Sequence, residues 1–153
     1  MGKMKNDTLR KIQIFWSVFI GAGAFLGGAM MFISPSGEMF GMDPMLPLLR
    51  RLPFPEIFFN DFIWSGIALI AANGITNVVA FVMLMRRSKY GSLASAVCGI
   101  VLMLWIVLQF IVFPINFMSS IYFLFGILQA TGGLMLYRRE SFKNKRYENR
   151  NQR

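Results

Sequence analysis

The chain has 153 residues, of which 56% are hydrophobic and 15% charged, and it carries a formal net charge of +9. A soluble domain has about 25% charged residues, so this composition, with a mean hydropathy of +0.54, excludes a water-soluble globule. One cysteine and no histidine exclude an intramolecular disulfide, a dithiol oxidoreductase, histidine-ligated haem, the usual zinc sites and a histidine general base.

In chain order, a basic segment with Lys3, Lys5, Arg10 and Lys11 precedes an uncharged stretch at residues 12–33. A membrane span needs roughly 20 apolar residues, at 1.5 Å rise each, to cross about 30 Å of hydrocarbon. This run is longer than the 7–15 residues or so of a signal-peptide core, and its small residues Gly21 to Ala24 come too early for a cleavage site. It is therefore expected to be a retained helix. Gly23 and Gly27, with Gly28 one step along, are spaced to let another helix approach closely. Packing within the chain is the expected use, and self-association through this span is the alternative.

Residues 34–60 form the one substantial loop. Its five prolines oppose a long helix, and Pro35-Ser36-Gly37 reads as a turn that ends the first span. Arg50 and Arg51 sit in an apolar stretch expected to lie on the outer membrane surface or to cap the bundle, with the arginines reaching phosphates. Met39, Met42 and Met45 recur every third residue, and thioethers suit Cu(I). The chain has 12 methionines used as apolar filler and no histidine beside these three, so no metal site is expected.

The second stretch, 62–85, has Asp61 at its mouth, then Trp64 and Ser65, and carries Asn73 and Asn77 four residues apart on one helical face. A short link with Arg86, Arg87 and Lys89 leads to the third, 92–113, which holds Cys98 as a small packing residue and Gln109 nearer the outside. The uncharged turn at Pro114–Met118 leads to the fourth, 119–137, with Gly126 and Ala130 at small-residue spacing and Gln129 at the depth of Asn73. A basic tail, 138–153, follows and is expected to be frayed or weakly helical.

Four spans joined by short links predict an all-α fold, a transmembrane antiparallel four-helix bundle. The basic segments then fall on one side, which the positive-inside rule makes cytoplasmic, so both termini are expected inside a multi-pass protein of the inner or plasma membrane. The same charges suit anionic lipid headgroups; nucleic acid is not an expected partner. No Asp, Glu, Lys or Arg lies inside the four stretches, so a proton-driven pump is not expected.

Interior amides have two readings. They serve as interhelical hydrogen bonds, or they line a ligand cavity open to the outside, with Asp61, Trp64, Ser65 and Gln109 at its mouth and Asn73 and Gln129 at its floor, Asn77 beside them.

Gly27-Gly28, Pro35-Ser36-Gly37 with Gly41-Met42, Asp61-Phe62-Ile63, Gly66, Asn73-Gly74, Trp105-Ile106 with Gln109, and Tyr122-Phe123 with Gly126 give the chain a pattern. That pattern resembles a group of small four-span bacterial membrane proteins. It departs from the group where Ser65-Gly66 stands in place of Pro-Gly. The resemblance implies a four-helix fold and no particular activity.

The expected function is a non-enzymatic membrane protein, without a cofactor, that binds a partner protein or a lipophilic ligand in an accessory, protective or assembly role. The alternatives are a small transporter or channel subunit, which needs a homo-oligomer, and an enzyme acting on a lipid or quinone at the outer interface. Asp61, Glu56, Arg50 and Arg51 are the only charged candidates for the last, and they form no clear acid–base pair.

Overall fold

A computed structural model describes the backbone of residues 2–151 and the side chains of residues 6–142. The side chains of Lys3, Lys5, Lys143, Lys145, Arg146 and Arg150, and all of Arg153, lie outside the described residues.

The fold is all-helical among the described residues. The long helices are α1, Gly2–Ile33; a second span built from α4, Ile63–Leu69, a π-helical segment, Ile70–Ile75, and α5, Thr76–Met85; α6, Gly91–Val112; and α7, Phe117–Asn151. Two short helices, α2 at Leu46–Leu49 and α3 at Pro55–Phe58, lie in the loop between α1 and α4. Four helices are long and apolar enough to cross a membrane: Asn6–Ile33, Ile63–Met85, Gly91–Val112 and Phe117–Phe142. This is the mark of a multi-pass membrane protein.

Two helices outrun the apolar stretches that specify them. At 1.5 Å per residue, α1 with 32 residues and α7 with 35 are each about 50 Å long, against a hydrocarbon core of about 30 Å. The basic tail, expected to be frayed or weakly helical, continues α7 as helix to Asn151.

Large apolar side chains such as Leu104, Ile111 and Leu124 point outward, while Gln13, Asn77, Ser95 and Gln129 are fully buried. This inversion of a soluble core is what lipid as a solvent requires, since polar groups must find partners inside. Ile20, Leu102 and Ile106 form a small apolar cluster under Trp16, Trp105 and Tyr122.

Close approach rests on residues without bulk. A Cβ on Gly133 would stand 2.6 Å from the Ala96 nitrogen, and one on Gly126 would stand 3.0 Å from the Gly99 carbonyl oxygen. Between α1 and the second span, Gly28 leaves room for Ile70 and lies against the Gly66 carbonyl. Dispersion and close packing, rather than hydrophobic exclusion, hold helices together in lipid.

The loop folds back on the bundle. The Phe62 N–H donates to the Pro35 carbonyl at 3.0 Å, which joins the two ends of the loop, and Phe62 and Leu49 are buried. Gly37 takes a φ of +79°, and a side chain there would run into Phe62 and Met42. Arg50 donates to the backbone carbonyl of Asn60 at 3.1 Å and to its side-chain oxygen at 3.3 Å.

Candidate functional site

A line of polar side chains runs through the packed helices. At one end Arg10 pairs with Oε1 of Glu140, and the Ser92 hydroxyl donates to Oε2 of the same carboxylate at 2.9 Å. Arg87, in the link between α5 and α6, approaches Asp7 of α1 at 3.4 Å. One turn along α1, Gln13 accepts from the Ser95 hydroxyl at 2.8 Å. One turn further, the Gln129 amide donates to Asn77 Oδ1 at 2.7 Å and to the Ser17 hydroxyl at 3.4 Å.

The Gln129, Asn77 and Ser17 contacts tie α7, α5 and α1 together. Replacing Gln129 by leucine leaves Asn77 Oδ1 without its partner inside a dry core, so a loss of about 1 kcal/mol is expected, read as a lower melting temperature in detergent.

The second span changes its helical form at the next level. Within and just after the π-helical segment, the Asn77 amide donates to the Asn73 carbonyl at 2.8 Å and the Thr76 hydroxyl to the Ala72 carbonyl at 2.6 Å. Side chains thus serve carbonyls on the widened turns, where a π-bulge loosens the usual ladder. Such bulges recur at functional sites.

Asn73 lies in this segment and differs from every other amide in the line. It is 1% exposed, yet neither Oδ1 nor Nδ2 has a hydrogen-bond partner. Asn73 lines a cavity of about 230 Å³, as do Trp105, Gln109, Ser119 and Tyr122. The indole Nε1 of Trp105 is likewise buried and unpartnered. The Ser119 hydroxyl donates to Gln109 Oε1 at 3.1 Å. Gly23 and Gly27 form the α1 wall, where a Cβ on Gly23 would come within 3.0 Å of the Tyr122 oxygen.

A second, larger cavity of about 450 Å³ shares Trp105 and Gln109 with the first. Its other walls are apolar and include Phe58, Phe62, Trp64, Leu108 and Phe113, with Ser65 the one small polar side chain among them. Loop and spans both contribute, because α3 brings Phe58 against Trp64, with ring centres 5.4 Å apart.

The single cavity drawn from the sequence therefore divides. Asn73 and Gln109 share the polar chamber, while Trp64, Ser65 and Gln109 share the apolar one. Gln129 is in neither; its amide nitrogen is spent on Asn77 and Ser17 in the packed interior, and its own oxygen is buried there without a partner. Asp61 is in neither as well, and its carboxylate accepts from the Ile63 N–H at 2.9 Å in an Asx turn that leads into α4. Gly28 and Gly126 pack against neighbouring helices, whereas Gly23 and Gly27 border the polar chamber.

Gln13, Ser17 and Ser92 escaped the sequence reading; Ser95 stands four residues before Gly99, a spacing that marks it only as a small packing residue. The available signal was spacing on α1: Arg10, Gln13 and Ser17 recur at three and four residues and so share a face. Trp105 belongs to the Trp105-Ile106 and Gln109 pattern, which carried no signal that its indole lines a cavity. Comparison of the chain with protein-family models, with curated proteins and with solved structures finds no match in any of the three.

Proposed function

We propose that this chain is a non-enzymatic protein of the inner or plasma membrane that binds a lipophilic ligand between its spans, on the side opposite its termini. The observation that carries the reading is Asn73, whose amide is buried and unpartnered beside an open chamber. A buried amide without a partner costs about 1–3 kcal/mol, so it persists where something else completes it. An adjoining apolar chamber is what a tail needs, and ligand sites combine mostly apolar walls with a few placed polar groups.

The proposed arrangement is an antiparallel four-helix bundle with both termini in the cytoplasm. Contact registers support it: Gly21 meets Asn77 where Gly28 meets Gly66, and Ala96 meets Gly133 where Gly99 meets Gly126. The pairing of Arg10 with Glu140 and of Arg87 with Asp7 supports gathering the basic segments at one end, which the positive-inside rule assigns to the cytoplasm. There the basic residues meet anionic headgroups.

The test is native mass spectrometry of the full chain, purified into nanodiscs of the host's own lipids. The wild type is expected to eject with one retained small molecule. Asn73→Leu is expected to lose it on the order of tenfold while melting no lower, because leucine removes two unpartnered polar atoms. A wild type that ejects empty overturns the reading.

A further inference from the structure

The chemistry of the polar chamber narrows what its occupant can be, on the reading that the chamber binds a ligand at all. Its unspent hydrogen-bonding groups are mainly donors. Asn73 Nδ2 and Trp105 Nε1 are buried without partners. Gln109 has its oxygen engaged by Ser119, which leaves its NH₂ group to offer. Tyr122 adds a hydroxyl that donates or accepts. Acceptors are fewer: Asn73 Oδ1 and the oxygens of Ser119 and Tyr122.

Among the described residues, no Asp, Glu, Lys or Arg borders either chamber. A charged head would enter this region unpaired, at a cost that binding does not recover. Phosphate, carboxylate and ammonium heads are disfavoured on that ground. Trp105 and Gln109 line both chambers, so a molecule that reaches past them would have its head against Asn73 and its tail among Phe58, Phe62, Trp64 and Leu108. The larger chamber, about 450 Å³ with almost wholly apolar walls, has room for a hydrocarbon or isoprenoid segment but offers little to a second polar group.

We infer that the occupant is a neutral amphiphile whose head presents carbonyl oxygens, held by Asn73, Trp105 and Gln109, with its tail in the apolar chamber. Two sources supply that chemistry, a quinone ring on an alkyl or isoprenoid tail and an uncharged acylglycerol. The polar chamber, about 230 Å³, holds the volume of roughly seven or eight waters at about 30 Å³ each, enough for either head.

The experiment titrates the full chain in phosphatidylcholine nanodiscs with four probes and reads one-to-one complexes by native mass spectrometry. The probes are a decyl-substituted benzoquinone, dioctanoylglycerol, palmitate and dodecylamine. One or both neutral probes are expected to form a saturable one-to-one complex, and the preferred one identifies the source. Asn73→Leu and Gln109→Leu are each expected to weaken it on the order of tenfold, the loss of one well-placed hydrogen bond. Gln109 lies nearer the rim, so its variant keeps the test decisive if Asn73→Leu does not fold. Palmitate or dodecylamine binding as tightly as the neutral probes overturns the inference, as does unchanged binding in both variants. If the wild type retains a native molecule that lacks a carbonyl-type head, the binding function stands and this assignment falls. If neither probes nor native molecules bind, both fall.

Discussion

Gly99→Ala is expected to lower the unfolding free energy by about 3 kcal/mol, the upper end of the range for overpacking a well-filled interface. A Cβ at Gly99 would overlap the backbone nitrogen of Ala130 and stand 2.7 Å from the Gly126 carbonyl oxygen. These are main-chain atoms on α7, so no rotamer change makes room and the helices must separate. Separation forfeits dispersion along the whole α6–α7 contact, including the Gly133–Ala96 approach. Gly27→Ala is the matched control, because its Cβ would meet only the flexible end of Leu69 at 3.1 Å. Unfolding in mixed micelles by titration with sodium dodecyl sulfate measures both. Equal costs for the two variants would show that close α6–α7 approach contributes little.

The second large effect is expected at the charged end of the polar line. Arg10→Ala or Glu140→Ala should each cost about 2 kcal/mol, less than the roughly 3–5 kcal/mol of stranding one partner of a fully buried ion pair, because both side chains keep some contact with solvent. The side chains are 17% and 21% exposed, and Glu140 also accepts from Ser92, so three helices lose a shared anchor when the carboxylate goes. Removing both charges should cost less than the sum of the two single changes, since neither survivor is then stranded. Thermal unfolding of the two single variants and the double variant, in one detergent, gives the cycle. Strict additivity would mean that the pair is not coupled.

Much of the architecture was legible in the sequence because lipid imposes simple rules. Length and lack of charge mark the four spans, and Gly126 and Ala130 announce a close contact by their spacing alone. The interior was legible only in part. Asn73 and Gln109 could be placed by depth, and both reach a chamber. Depth could not separate Gln129 from them, because which amide is spent on a neighbour depends on helix rotation. Its partners Ser17 and Asn77 are 112 and 52 positions away.

The ion pair was hidden for a related reason. Arg10 and Glu140 are 130 positions apart, in flanks that read as headgroup-facing, and only the lengths of α1 and α7 bring them together. The four stretches free of charge hold as a statement about composition. Yet a carboxylate and a guanidinium still meet between the helix ends, one turn from Gln13.

The π-helical segment has a consequence for the angular phase of its span. An α-helix turns by about 100° per residue, and a π-bulge is an extra residue within that count. The part of the span before Ile70 and the part after Ile75 therefore keep different rotational registers. Trp64 and Ser65 look into the apolar chamber while Asn77 looks at Gln129, a combination that one unbroken 3.6-residue repeat would not hold in the same phase. Deleting a single residue from this segment would close the ladder into a plain α-helix and leave Trp64, Ser65 and Asn77 facing as they do. The widened turn that carries Asn73 would be lost, although every flanking side chain kept its place.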